Sequence, residues 1–416
     1  TNVVKEISEN TFIYPKKKPI IVKPEIKKVA KKSETLSKKD FEIAKLAFDS
    51  IEKKNWTKAL KLSKRTKDKS LYRLINYLYL KKTSNAASFY DYSTFIGSNP
   101  NYPRINRLRY LAEHKINLKS NTPRSIVKWF NGNEPLSHFG RIKLGEIYLL
   151  QDNIIEGSKL IKDGWVKAKL SKSDLRYLRK KYKKIITVED NIKRADFLAW
   201  EGKHWDVQRM LRYLPKDYTA LYRARQLLMS KSYGVDKAIS SVPNHLKKDP
   251  GLEFDRLRWR NRRGRLEGSL EILYKNSNRT EKQMVRPDKW WEQRKSVSRA
   301  LIYKKRYKTA YKISSEHALS AGPDFAEAEW LSGWIALTFL KSPEYAISHF
   351  ENFYNNVGYP ISLARGAYWL GITYKTLGDK NLSYKYFNEG AKFPMTYYGQ
   401  LSFNEIKPGE NFELID

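Results

Sequence analysis

The amino-acid sequence predicts an all-α protein, an α-solenoid in which TPR-like helical hairpins stack into a superhelix. From Phe41 onward apolar residues recur at helical spacing, and no segment alternates β-branched residues between turn dipeptides. A hairpin signature also recurs ten times along the chain, at intervals of 29 to 51 residues. Because one hairpin cannot bury its own apolar stripe, we expect each hairpin to stack on its neighbours.

The repeated signature can be anchored at ten positions, one for each predicted hairpin, and we refer to them as hairpin anchors: Trp56, Asn85, Thr122, Ile154, Trp205, Val235, Leu266, Tyr307, Pro343 and Asn381. In several hairpins a small residue follows the anchor by three positions, which lets paired helices approach closely: Ala59, Gly157, Ser269, Ala310 and Ala346. The longest interval, between Ile154 and Trp205, leaves room for an additional helix at about 171–186.

The last two hairpins carry the clearest helix-end signals. Gly378 before Asp379 predicts a helix end, because glycine readily adopts the left-handed conformation found there. Asp324, three residues before Glu327, is predicted to form a capping box, and Ser342 followed by Pro343 is predicted to cap the next helix.

The chain divides into four predicted segments. Residues 1–39 are rich in lysine and proline without apolar periodicity, which predicts a disordered basic arm. Residues 40–286 form the first part of the hairpin superhelix and residues 287–405 its end. Residues 406–416 are expected to begin a linker to a further C-terminal region.

Composition restricts the chemistry. The sequence has no cysteine, so disulfides and thiolate metal sites are ruled out. Its six histidines are scattered without metal-ligand spacing, and we expect neither a metal nor a cofactor. No apolar run is long enough to span a bilayer. The net charge of +37 favours an anionic partner, although general lysine enrichment of helix faces would produce the same balance.

Three stretches give the end of the superhelix a specific character: PDKWW from Pro287, FAEAEWLSGWIAL from Phe325, and ARGAYWLGITYKTLGD from Ala364 followed by FPMTYYGQLSF from Phe393. In these stretches the chain resembles the N-terminal superhelical domain of the soluble lytic murein transglycosylases. The resemblance covers roughly residues 287–405, whereas residues 40–286 match through their hairpin rhythm alone.

The resemblance implies a periplasmic protein, with its signal peptide removed or outside this sequence, that acts on peptidoglycan. Members of the family cleave the β-1,4 bond between N-acetylmuramic acid and N-acetylglucosamine and leave 1,6-anhydro ends. A U- or ring-shaped superhelix supports their separate lysozyme-like domain, which carries one glutamate in an E-S motif followed by G-L-M-Q-L. Neither motif occurs in this sequence. We therefore expect no catalytic residue here, and an inactive chain that holds glycan strands or stem peptides.

Side chains suited to an anionic ligand are most concentrated around Trp259. The guanidinium group binds carboxylates and phosphates through two parallel hydrogen bonds. We therefore predict an arginine patch consisting of Arg256, Arg258, Arg260, Arg262, Arg263 and Arg265. The second basic run, residues 176–184, is interpreted as a solvated helix face.

Other conspicuous residues have structural interpretations. Glu327 and Glu329 are interpreted as capping or solvated residues. Of Trp290 and Trp291, one ring is expected to pack inside, and a sugar-stacking role is the weaker alternative.

A second function is compatible with the same features. A stand-alone basic helical-repeat module could bind RNA or a protein, since a strongly cationic solenoid supplies the phosphate-driven affinity that RNA binding needs. The irregular repeat length counts against a base-reading array, which requires a regular register.

Overall fold

The computed structural model describes residues 33–230 and 232–410, and within these residues all regular secondary structure is helical. The predicted all-α fold class is confirmed. Residues 1–32, which make up most of the predicted basic arm, and residues 411–416 of the predicted linker lie outside the described residues. None of the described helices is long and apolar enough to cross a membrane.

The described residues form two compact units, and the boundary between them falls after Ile147. The helices of the first unit, with α7 continuing past its end, are α1 (Lys38–Glu52), α2 (Trp56–Ser63), α3 (Lys69–Lys81), α4 (Phe89–Ser98), α5 (Ile105–Glu113), α6 (Pro123–Phe130) and α7 (His138–Leu150). In this unit α1 packs on α2, α2 on α3, α3 on α5 and α4 on α5.

The described part of the second unit contains sixteen α-helices: α8 (Ile154–Lys167), α9 (Lys172–Lys181), α10 (Val188–Trp200), α11 (His204–Met210), α12 (Lys216–Ser230), α13 (Val235–Ser240), α14 (Pro250–Arg262), α15 (Leu266–Lys275), α16 (Glu281–Met284), α17 (Pro287–Tyr303), α18 (Tyr307–Ser315), α19 (Gly322–Thr338), α20 (Pro343–Asn355), α21 (Pro360–Leu377), α22 (Lys380–Ala391) and α23 (Tyr397–Ile406). Two short 3₁₀ helices occupy Leu211–Tyr213 and Asn244–Leu246.

Consecutive helices of the second unit form antiparallel hairpins, such as α12 with α13, α14 with α15 and α19 with α20. The first helices of successive hairpins also touch, from α10 through α12, α14 and α17 to α19. One continuous core follows this stack, with its largest buried rings at Trp200, Phe254, Trp290 and Trp291. Each hairpin therefore buries its apolar stripe against the next hairpin, as a TPR-like solenoid requires.

Eight of the ten hairpin anchors lie at a helix start or one residue past it, whereas α6 begins one residue after Thr122 and α4 begins four residues after Asn85. α2, α8, α13, α15, α18 and α20 begin at the predicted residues, and α11 and α22 begin one residue earlier. The small residues three positions later are buried in the structure: Ala59, Gly157, Ser269, Ala310 and Ala346. The additional helix expected at about 171–186 is α9.

The predicted helix ends were partly right. Gly378 terminates α21 in the left-handed conformation at φ 84°. Pro343 is the first residue of α20, but the Ser342 side chain does not cap it. The capping box at Asp324 is wrong, because α19 already begins at Gly322 and no side chain caps it.

Candidate functional site

The predicted arginine patch occupies the end of α14 and the turn into α15. α14 begins at Pro250, where Asp249 accepts a hydrogen bond from the backbone N–H of Leu252, and ends at Arg262. Gly264, at φ 67°, then reverses the chain into α15. The six arginines of the patch lie within ten residues of sequence, but they contact different partners in the structure.

Three of the six arginines have partners within the chain, and two of these partners lie on other helices. Arg258 Nη2 lies 3.1 Å from Asp255 Oδ1 on the same helix. Arg260 Nη1 donates to the carbonyl of Gly268 at 2.6 Å and to Glu271 at 2.8 Å, which joins α14 to α15. Arg262 Nη2 donates to the Leu228 carbonyl at 2.7 Å near the end of α12. These three guanidinium groups are therefore already engaged in contacts within the chain.

The other three arginines of the predicted patch are Arg256, Arg263 and Arg265. Arg263 and Arg265 place their guanidinium carbons 4.6 and 4.9 Å from the ring centroid of Trp259. Arg256 and Arg263 lie seven residues apart, on one face of the helix and its C-terminal turn, and Arg256 makes no ion pair with any described residue. Arg256, Arg263 and Arg265 thus make no ion pair with any described residue, and Arg263 and Arg265 share the ring of Trp259.

A buried ionic network adjoins the arginine patch, because Asp255 contacts both Arg258 of the patch and Arg225 of α12. Arg225 of α12 is fully buried, and its Nε lies 2.8 Å from Oδ2 of Asp255, which is also fully buried. Its Nη1 lies 2.7 Å from Asp196 of α10. The guanidinium also sits over the ring of Trp200, 5.2 Å from its centroid. One arginine therefore ties the first helices of three successive hairpins together.

The structure corrects the interpretation of Glu329. Its side chain is 5% exposed, so it is not a solvated residue. His317 Nε2 lies 3.0 Å from Oε1 and His349 Nδ1 lies 2.6 Å from Oε2. The Tyr311 hydroxyl continues the chain at 3.1 Å from His349 Nε2. Burial alone raises the pKa of Glu329, but the hydrogen bonds and charges of His317 and His349 lower it to about 2. This carboxylate is ionised at neutral pH, unlike a general acid.

Glu327 and the two adjacent tryptophans form a second group in the same hairpins. Glu327 accepts hydrogen bonds from Lys295 Nζ at 2.6 Å and from Trp291 Nε1 at 3.2 Å. It is therefore neither a cap nor a free surface carboxylate. Trp290 and Trp291 are both 0% exposed. Both rings are buried, whereas we expected one of them to pack inside. The sugar-stacking alternative is wrong, because neither tryptophan ring is accessible to a ligand.

One buried carboxyl group in the first unit has a raised pKa. Burial raises the pKa of Glu113, although hydrogen bonds from the Ser137 region and from Leu136 act in the opposite direction. The backbone N–H groups of Leu136 and Ser137 donate to its two oxygens at 2.7 and 2.6 Å. A raised pKa suits a general acid, but both oxygens are occupied in connecting α5 to the segment before α7. Glu113 is a structural residue.

The segments that begin at Phe325 and Ala364 contain a cluster of aromatic rings that was not identified from the sequence. The guanidinium carbon of Arg365 lies 3.6 Å from the ring centroid of Trp330. Trp330 stacks on Trp334 at 5.8 Å and meets Trp369 edge-on at 6.1 Å. All four side chains are half-buried at the packing of α19 against α21. The spacing of Trp330 and Trp334, four residues apart on one helix, was the available signal.

Among residues 33–230 and 232–410 no group of three or more histidine, aspartate and glutamate side chains could hold a metal ion. No known protein family matches the sequence, and no curated protein does. Among solved structures, the chain is similar to one in the crystal structure of the APC/C hetero-tetramer Cut9-Hcn1. The identity is 13%, with 90% of each chain covered and a TM-score of 0.22. At that TM-score the likeness carries no argument about function.

Proposed function

We propose that this chain is the non-catalytic superhelical portion of a periplasmic peptidoglycan lytic transglycosylase, where it holds glycan strands or stem peptides for a separate lysozyme-like domain. The observation that carries this proposal is the sequence of the last hairpins, in the segments that begin at Pro287, Phe325, Ala364 and Phe393. A generic hairpin array needs helical periodicity but not this sequence.

The details of the C-terminal segment support a specific fold element. Thr396 accepts the backbone N–H of Gly399 at 3.0 Å and so begins α23. A side chain at Gly399 would put its Cβ 2.0 Å from the carbonyl oxygen of Phe393. Thr396 and Gly399 of the T-Y-Y-G motif are therefore both required by the local geometry.

The charge of the chain also supports the proposal. Stem peptides of peptidoglycan carry free carboxylates, and arginine binds carboxylates in bidentate geometry. Arg263 and Arg265 supply such groups next to the ring of Trp259, and Arg256 adds a third on the same helix. The carboxyl groups of Glu113 and Glu329 are both committed to internal hydrogen bonds. We accordingly assign this chain a binding role and no bond-cleaving role.

The test is co-sedimentation of the purified chain with isolated sacculi, followed by analysis of the supernatant for 1,6-anhydro-muropeptides. We expect the chain to sediment and the supernatant to contain no such products. The triple variant Arg256→Gln, Arg263→Gln, Arg265→Gln should sediment less. The charge-matched control Lys304→Gln, Lys308→Gln, Lys380→Gln, at exposed positions elsewhere in the unit, should behave as the unmodified chain.

Two results would reject parts of this proposal. Anhydro-muropeptides released by the chain alone would show that it contains an active site. Failure to sediment with sacculi at about 0.15 M salt, where the Debye length is roughly 8 Å, would remove the binding role.

The net charge of +37 favours a second candidate, a basic repeat module that binds RNA. Tight, salt-sensitive binding of a short oligouridylate, with no sedimentation on sacculi, would favour that function.

A further inference from the structure

A second basic site lies between α9 and α11, within the second unit. α9, α11 and the 3₁₀ helix Leu211–Tyr213 enclose a cleft of about 390 Å³. Its lining consists of Lys172, Leu175, Arg176, Arg209, Arg212 and Tyr213. The basic run that begins at Arg176 was interpreted as a solvated face, but Arg176 lines this cleft together with cations from the next helix.

Four cationic side chains line the cleft and no carboxylate does. Arg209 pairs with Asp206 at 2.5 Å, outside the lining. Arg176 Nε donates to the Lys172 carbonyl at 3.3 Å, which neutralises no charge. Lys172 and Arg212 make no ion pair with any described residue. Like charges held together in this way repel one another, so a bound anion would relieve an existing cost.

The cleft is held in place by its surroundings. Ser171 and Asp174 form a capping box that fixes the start of α9. The guanidinium carbons of Arg179 and Arg212 lie 4.8 and 5.8 Å from the ring centroid of Tyr213. Arg179 Nε is buried and has no hydrogen-bond partner among the described atoms. Arg212 therefore already lies against Tyr213 at the cleft before a ligand binds, which reduces the entropic cost of binding.

The geometry favours a compact ligand over a nucleic-acid strand. Single-stranded nucleic acids are bound by exposed aromatic faces on which bases stack. Tyr213 is the sole aromatic residue in the lining, is half-buried, and is already contacted by two guanidinium groups. A volume of about 390 Å³ lies within the range of small-ligand sites.

We propose that this cleft binds a short peptide with two or more carboxylates, of the kind that a peptidoglycan stem provides. The identity of the peptide rests on the function proposed above, whereas the anion site rests on the cleft alone. Arg176 and Arg212 each bind one carboxylate bidentately, and Lys172 contributes a third positive charge at the rim.

The test is isothermal titration of the full chain with the free tripeptide L-alanyl-γ-D-glutamyl-meso-diaminopimelate. Arg176→Gln and Arg212→Gln change exposed side chains, so the fold should be retained, and circular dichroism checks this. Each should weaken binding roughly tenfold, the value of one lost charged hydrogen-bond pair. Arg223 is an exposed arginine of α12 that pairs with no carboxylate among the described residues, so Arg223→Gln removes the same charge elsewhere and should bind the tripeptide normally.

Three further outcomes would overturn the proposal: equal binding of the tripeptide by Arg176→Gln, Arg212→Gln and the unmodified chain; unchanged affinity for a tripeptide with amidated carboxylates; or tighter, variant-sensitive binding of a short oligouridylate. Sacculus sedimentation without tripeptide binding would refute this inference and leave the proposed function standing. Tripeptide binding without sedimentation would do the reverse, confirming the anion site and refuting the proposed function.

Discussion

Glu329, a buried carboxylate in the C-terminal hairpins, is held in its ionised form by hydrogen bonds from its neighbours. His317 Nδ1 accepts the backbone N–H of Leu319 at 3.0 Å, which leaves its Nε2 to carry the proton that is donated to Glu329. His349 approaches the other oxygen from α20, 2.6 Å away. The loop after α18 and helix α20 thus converge on one carboxylate of α19, and its ionised form accepts both bonds.

Glu329 should make stability dependent on pH in an acidic window. Its folded-state pKa of about 2 lies below the ordinary 4.5, so the carboxylate stabilises the fold fully above pH 4.5. That contribution, on the order of 2 kcal/mol, is lost as the pH falls from 4.5 toward 2. We expect Glu329→Gln to lower the urea midpoint at neutral pH, and the difference from the unmodified chain to shrink as the pH decreases through this window.

The control for the pH experiment is Glu281→Gln, at an exposed position on α16. Its urea midpoint should follow that of the unmodified chain at every pH. If the difference between Glu329→Gln and the unmodified chain stays constant from neutral pH to the end of the window, the carboxylate is not ionised as described.

At the scale of helices, the closest crossings occur at glycines. A Cβ at Gly333 would lie 2.8 Å from the Phe350 ring, and one at Gly371 would lie 2.6 Å from the Phe387 ring. An aromatic ring can tilt to accommodate part of such a clash. At Gly399 the obstacle is the backbone carbonyl of Phe393, at 2.0 Å, and a backbone group has much less freedom to move. The segment before α23 is therefore the least tolerant of an added methyl group.

Gly399→Ala should destabilise the chain by about 2 kcal/mol or more, because overpacking typically costs 1–3 kcal/mol and outweighs the gain of up to about 1 kcal/mol in helix propensity. Urea denaturation monitored by circular dichroism measures the change. Gly358→Ala is the matched control, since no atom lies within 4 Å of its added Cβ and its φ is not positive. Equal midpoints for the two variants would contradict the tight turn described here.

The hairpin order was predictable from sequence because it depends on local signals. A proline at the first helical position and a glycine such as Gly378 at a helix end act within a few residues. Contacts between distant residues were not predictable. The partners of Glu329 are 12 and 20 residues away, and those of Arg225 are about 30 away. No periodicity shows which carboxylate meets which cation when two hairpins stack.

The candidate ligand sites were also only partly predictable from the sequence. Sequence located the arginine cluster around Trp259 but not that Arg258, Arg260 and Arg262 are used internally. The cleft lined by Arg176 and Arg212 was missed because its two sides lie on different helices.

For the whole molecule, the dominant electrostatic fact is the imbalance of 81 lysine and arginine residues against 44 aspartate and glutamate residues. Even if every carboxylate were paired, 37 positive charges would remain without an acidic partner in the chain. Most ion pairs of the described residues involve at least one exposed side chain, and such pairs contribute about 0–1 kcal/mol each. Repulsion among the excess cations therefore opposes the compact fold, and an anionic partner would relieve it.

Salt should consequently stabilise this protein. Raising sodium chloride from about 0.02 M to about 0.3 M shortens the Debye length from roughly 20 Å to below 8 Å, which screens repulsion between distant cations more than it weakens short ion pairs. We expect the urea midpoint to rise with salt, and urea is the suitable denaturant because it is uncharged. The control is sodium sulfate at matched ionic strength, since an additional rise there reports exclusion from the surface. A midpoint that falls with salt would mean that attractive pairs such as Arg225 with Asp255 outweigh the excess charge, and that an anionic partner is not needed to balance the fold.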